Sequence, residues 1–77
     1  MLTVKILINS IERVKEFTSI VSKLDADMDI ICDRYVINPK SIMGIYTIDL
    51  LHPVELRIYK DGKDAEMVVE KLRDYLI

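Results

Sequence analysis

A chain of 77 residues with a single cysteine has room for one domain, 1–77, and no internal disulfide framework. Half of the residues are apolar (51%), and only two are glycine and two proline, which excludes a disordered segment. Eleven basic against thirteen acidic side chains leave a formal charge of −2, which speaks against a phosphate-backbone binder.

The opening residues MLTVKILINS lack the apolar region and small-residue cleavage site of a signal peptide. No apolar run is long enough to span a bilayer, so no membrane insertion is expected. The lone Cys32 suits a reducing compartment, and a cytoplasmic monomer is the expectation.

In chain order, TVKILI (3–8) reads as a strand, with Val4, Ile6 and Ile8 on one face and Leu7 spoiling the alternation. Asn9 and Ser10 break it, and either can cap a helix over 11–24; Glu12, three positions after Asn9, fits a reciprocal cap. Val14, Phe17, Val21 and Leu24 form the apolar stripe of that helix, and Arg13, Lys15 and Glu16 face water. DADMD is a connection.

DIICDRYVIN (29–38) reads as two short strands meeting near Asp33-Arg34, with no Asn-Gly or Asp-Gly to mark the turn. Ile30 and Cys32 share one parity, Tyr35 and Ile37 that of the second strand, and Cys32 is expected to be a buried structural thiol. Pro39 ends the second strand because it has no N–H to donate. From Ser41 to about Leu50 the spacing is helical, with Ile42, Ile45 and Ile48 or Asp49 in register, and Pro53 stops it near His52.

VELRIY (54–59) alternates as a strand facing in through Val54, Leu56 and Ile58. Lys60–Lys63 turn the chain, and Asp64 caps a last helix over 65–76 carrying Ala65, Val68, Val69, Leu72 and Leu76. The class is α+β, in the order βαββαβα, with helices covering one face of four strands.

Several kinds of chemistry find no support. Asp25, Asp27 and Asp29 alternate like the start of a calcium loop, yet the glycine and downstream glutamate are missing, so no metal is expected. Aromatic and basic residues do not interleave as in a nucleic-acid groove, and no glycine-rich nucleotide loop exists. No cofactor and no intrinsic catalytic activity are expected.

One segment is more specific. KSIMGIYTIDL, a following VELRI strand, an Asp61-Gly62 turn and an acidic amphipathic helix together resemble the second half of HPr, the histidine-containing phosphocarrier of the bacterial sugar phosphotransferase system. The resemblance is strong over 38–76 and weak over 9–24. It implies an open-faced β-sandwich: a four-stranded antiparallel sheet covered on one face by three helices.

It also implies a regulatory phosphorylation site at Ser41, with Lys40 beside the phosphate and a docking surface formed by Ile42, Met43 and Tyr46. Helix-start N–H groups and a neighbouring cation favour such a phosphate. The implied partners are proteins of the phosphotransferase or carbon-regulation network, including an HPr serine kinase.

The family's carrier histidine, followed closely by arginine and proline, belongs at the start of the first helix. Here that stretch is NSIERVKEF (9–17), with neither histidine nor proline. Asn9, Ser10, Glu12, Arg13 and Lys15 form a degenerate active loop, with Arg13 or Glu12 near the histidine's place and Lys15 near the arginine's. Arginine stays protonated and cannot act as the nucleophile. The one histidine, His52, falls in the loop before Pro53, where a solvated side chain is expected and an alternative phosphoacceptor is the other reading.

Overall fold

A computed structural model describes residues 1–77. The elements are β1 (Leu2–Ile6), α1 (Ile11–Ser22), β2 (Met28–Cys32), β3 (Tyr35–Ile37), α2 (Ile42–Ile45), β4 (Val54–Ile58) and α3 (Gly62–Lys71), closed by a 3-10 turn at Arg73–Tyr75. The strands form one antiparallel sheet in the order β1-β4-β2-β3. The registers Val4↔Leu56, Leu56↔Ile30 and Ile30↔Ile37 set an apolar row across all four strands.

That row faces the helices, as the period of two requires. Ile6, Ile30, Leu56 and Ile58 from the sheet meet Val14, Phe17 and Val21 of α1, Ile45 of α2, and Val68 and Leu72 of α3, all buried. Burying a side chain of this size contributes roughly 1.5–3 kcal/mol, so this one layer supplies most of the stabilisation. The other sheet face carries Thr3, Lys5, Asp29, Glu55 and Arg57 without a covering layer. The result is the open-faced sandwich, in the order βαββαβα.

Several boundaries differ from the sequence expectation. β1 ends at Ile6, although Ile8 beyond it is still buried. Leu7 is half-buried and donates its N–H to Tyr75 O at 2.8 Å, because the C-terminal segment packs along this sheet edge. α1 stops at Ser22, where Lys23 N turns to Ile20 O at 3.1 Å. Met28 belongs to β2, and Asp33, with φ of 54°, makes the hairpin turn with Arg34.

The helix expected from Ser41 to Leu50 has only four residues, Ile42–Ile45. Its continuation tightens into i−3 bonds, Thr47 N to Gly44 O at 3.1 Å and Ile48 N to Ile45 O at 3.2 Å. The Thr47 hydroxyl donates to the same Gly44 carbonyl at 2.6 Å, a local competition that ends helices.

α3 starts at Gly62, whose φ of 58° is the left-handed region that glycine tolerates; the extended Asp61 before it is the N-cap, and Asp64 lies in the first turn and is not the cap. The helix ends at Lys71, and the 3-10 turn rotates Tyr75 into the core against Phe17, ring centroids 5.2 Å apart and edge-to-face. Thr18 is also buried, its hydroxyl donating to Val14 O. Cys32 is half-buried rather than buried, and Tyr35 is exposed at the sheet margin.

Candidate functional site

Two helix starts carry the expected site residues. At the first, Ser10 is the N-cap of α1 and its hydroxyl accepts from Arg13 N at 3.2 Å, which settles the choice between Asn9 and Ser10. Asn9 stands in the left-handed region, φ 79°, and its N–H donates to Leu50 O at 2.8 Å. That bond fastens the β1–α1 loop to the loop after α2. Glu12 and Lys15 are exposed, and Glu12 makes no reciprocal capping bond.

Arg13 does not face water as expected. It is half-buried, with its guanidinium 4.6 Å from the Tyr75 ring centroid, and Nη2 donates to Asp74 O at 2.8 Å. Tyr75 in turn donates its hydroxyl to Glu16 at 3.4 Å. Burial, followed by the Glu16 charge, raises the Tyr75 phenol above its usual 10.0. The cation of Arg13 is thus committed to the C-terminal turn, a contact 62 positions away that no local pattern announces.

At the second helix start, Asn38 Oδ1 accepts from Lys40 N at 2.9 Å and Asn38 O from Ser41 N at 2.9 Å. The Ser41 hydroxyl accepts from Gly44 N at 3.2 Å and is exposed, as is Lys40, which joins no ion pair. Gly44 sits close to its neighbours: a Cβ would lie 3.0 Å from Ile37 Cγ2 and 3.3 Å from Ser41 Oγ, so these would have to give by a few tenths of an ångström.

Of the expected docking residues, Met43 is 72% exposed, whereas Ile42 and Tyr46 are half-buried against the core. Ile11 at 61% and Leu51 at 70% exposure are large apolar residues that sequence reasoning passed over. Leu51 follows Leu50 directly and Ile11 comes two residues after Asn9, so the Asn9–Leu50 bond brings the segments that carry them together.

His52 is exposed, with Nδ1 2.7 Å from Asp49 Oδ2; Asp49 Oδ1 accepts from Leu51 N at 3.0 Å. The Leu51 N–H and then the His52 bond hold the Asp49 carboxyl below its usual value. The imidazole borders a cleft of about 740 Å³ shared with Lys5, Asp33, Asp49 and Glu55, and lined by neither Ser10 nor Ser41. No three His, Cys, Asp or Glu side chains gather as a metal cluster. Asp29, in the acidic alternation, accepts from Tyr59 Oη at 2.7 Å instead.

An open-faced antiparallel βαββαβα sandwich defines an HPr-type fold. The family model described as "PTS HPr component phosphorylation site" matches residues 13–77, and the chain belongs to the HPr family. Among solved structures, HPr-C-His from Thermoanaerobacter tengcongensis is 27% identical, with a TM-score of 0.76, over 96% of this chain and 89% of that one. The phosphocarrier HPr of Bacillus anthracis str. Ames is 24% identical, TM-score 0.74, over 99% and 96%. Crh of Bacillus subtilis, a catabolite repression protein seen as a domain-swapped dimer, is 24% identical, TM-score 0.67, over 91% and 80%. The last two likenesses speak to fold alone. No helix is long and apolar enough to cross a membrane.

Proposed function

We propose that this chain is an HPr-related regulatory module that acts by protein contact and does not carry phosphate on a histidine at α1. The observation that carries the reading is the make-up of the α1 start: Ser10 serves as cap, and Arg13 is turned onto Tyr75 and Asp74. No imidazole stands there, since the only histidine is His52. A stable ester at Ser10 or Ser41 suits regulation better than rapid shuttling.

In this reading Ser41 is the regulated residue and Met43, with the exposed edges of Ile42 and Tyr46, is the contact surface. Its partners are proteins of the phosphotransferase or carbon-regulation network in the cytoplasm. A phosphate adds about −1.5 to −2 charge next to Lys40 and gives oxygens that accept from the α2 start in place of the hydroxyl. The test is intact mass after incubation with an HPr serine kinase and ATP. A gain of about 80 Da that is absent from Ser41→Ala supports the reading. No gain would leave a constitutive binding module without the switch.

One observation favours a second reading. The Asp49–His52 bond occupies Nδ1 and leaves Nε2 free at a cleft that Lys5 also lines, and in this reading His52 is the phosphoryl acceptor. Three carboxylates in the same cleft oppose it. A phosphate lost in mild acid and absent from His52→Ala would support this phosphocarrier reading; an acid-stable phosphate would exclude it.

A further inference from the structure

The chain reaches Ser41 through a turn that is fixed from two sides. Pro39 anchors it from below: its ring is fully buried, although Asn38 and Lys40 on either side are exposed. Proline also pre-sets the φ that the second residue of such a turn needs.

Asn38 closes the turn twice. Its carbonyl accepts from Ser41 N and its Oδ1 from Lys40 N, both at 2.9 Å. The second bond is a side chain standing in for a backbone turn, which Asn and Asp do best and Ser or Thr more weakly. Asn38 is exposed and lies outside the apolar core, so the sheet and helices do not depend on its amide.

The turn decides where the Ser41 hydroxyl stands. Ser41 N is tied back to Asn38, and Ser41 Oγ is tied forward by accepting from Gly44 N at 3.2 Å. The side chain is thus held at both ends while exposed, and its own O–H remains free to be donated.

We propose that Asn38 is a positioning residue for phosphoryl transfer to Ser41: through its bond to Lys40 N it fixes the turn that aims the hydroxyl. The proposal rests on the reading of Ser41 as the regulated residue. In the transfer an Oγ–P bond forms, the bridging bond to the γ-phosphorus of ATP breaks and ADP leaves, and the hydroxyl proton passes to a base of the kinase. Such attack depends on placement, and a displacement of about 1 Å costs on the order of a hundredfold in rate. A turn without its side-chain bond holds the hydroxyl in place for only part of the time, and the rate falls by that fraction. Ile42 and Tyr46 rest on the core, so docking through them and Met43 is spared. The loss therefore belongs to kcat and not to KM.

Steady-state kinetics with an HPr serine kinase and ATP, varying the folded protein as substrate, test this. Asn38→Ala should lower kcat about three- to tenfold at nearly unchanged KM, the effect of one lost hydrogen bond. Asn38→Asp, whose carboxylate accepts the same bond, should recover most of it. A merely structural role would unfold part of the substrate, which raises the apparent KM and leaves kcat intact. Amide exchange at Lys40 reads the turn without the kinase: it should quicken in Asn38→Ala and stay near the wild-type rate in Asn38→Asp. An unchanged kcat in Asn38→Ala, a change confined to KM, no recovery in Asn38→Asp, or a Lys40 amide indifferent to the substitution would each overturn the role of Asn38 and leave Ser41 as the regulated residue. Absence of phosphate from the wild-type protein would instead refute the Ser41 reading, and the role of Asn38 with it.

Discussion

Arg13→Ala separates a structural arginine from a phosphate-binding one. The guanidinium 4.6 Å from the Tyr75 ring is worth about 1 kcal/mol at a half-buried site. Its 2.8 Å bond to Asp74 O adds roughly 0.5–1 kcal/mol once discounted for solvent access. The sum, about 1.5–2 kcal/mol, corresponds to a fall in Tm of roughly 6–15 °C for a domain of this size. Thermal unfolding by circular dichroism reads it, with Lys15→Ala as the exposed control on the same helix. A double-mutant cycle with Tyr75→Leu should return a coupling of about 1 kcal/mol. A loss below about 0.5 kcal/mol, indistinguishable from the control, would refute the clamp and leave Arg13 free for a ligand.

Gly44→Ala gains about 1 kcal/mol of helix propensity but sets a methyl 3.0 Å from Ile37 Cγ2 at a strain of about 1–3 kcal/mol, so a net loss of about 0–2 kcal/mol is expected, read from the urea midpoint. Asp49, held low by the Leu51 N–H and His52, stabilises the fold above the unfolded carboxylate value and loses that contribution as pH falls through its own lower one. Asp49→Asn should flatten that part of an acid unfolding profile. Tyr75 has the opposite sign: its phenol is raised by burial, so its contribution is whole below the usual 10.0 and disappears as pH rises through the higher folded value. Tyr75→Phe should remove this alkaline dependence. Tyr59, raised chiefly by its bond to Asp29, should ionise at lower pH in Asp29→Asn, followed by tyrosinate absorbance.

The elements with strong periodicity were legible. Val54, Leu56 and Ile58 alternate and are buried; Val14, Phe17 and Val21 recur at helix spacing and are buried. What escaped depends on contacts between distant residues. Thr18 reads as polar but satisfies its hydroxyl on Val14 O, so its burial costs little. Tyr75, seven residues after Val68, shares its helical face, yet the apolar stripe read from the sequence runs to Leu76 and passes over it; the 3-10 turn carries it into the core. Ser41–Leu50 keeps a helical pattern, yet Thr47 takes the Gly44 carbonyl and halts it. The site divides in the same way. Ser10 and Ser41 as caps follow local rules, whereas the Arg13–Tyr75 contact and the Asn9–Leu50 bond needed the tertiary structure.

The charges around the two helix starts favour α2 as the regulated one. At α1, Glu12 and Glu16 offset Lys15, and Arg13 is already engaged, so little positive field remains for an incoming anion. Across Asn38–Ile48 the only charge is Lys40, and it is unpaired. A phosphate on Ser41 would turn that segment from one positive charge to a net negative one. Such a reversal beside the exposed Met43 changes which surfaces can approach without like-charge repulsion, and it does so without moving the core. In the present proposal, therefore, Ser41→Asp should shift partner affinity in the direction of the phosphorylated protein while leaving the stability from urea unfolding within about 1 kcal/mol of Ser41→Ala. A partner whose affinity ignores both the phosphate and the aspartate would refute the electrostatic switch and leave the apolar contact alone to account for binding.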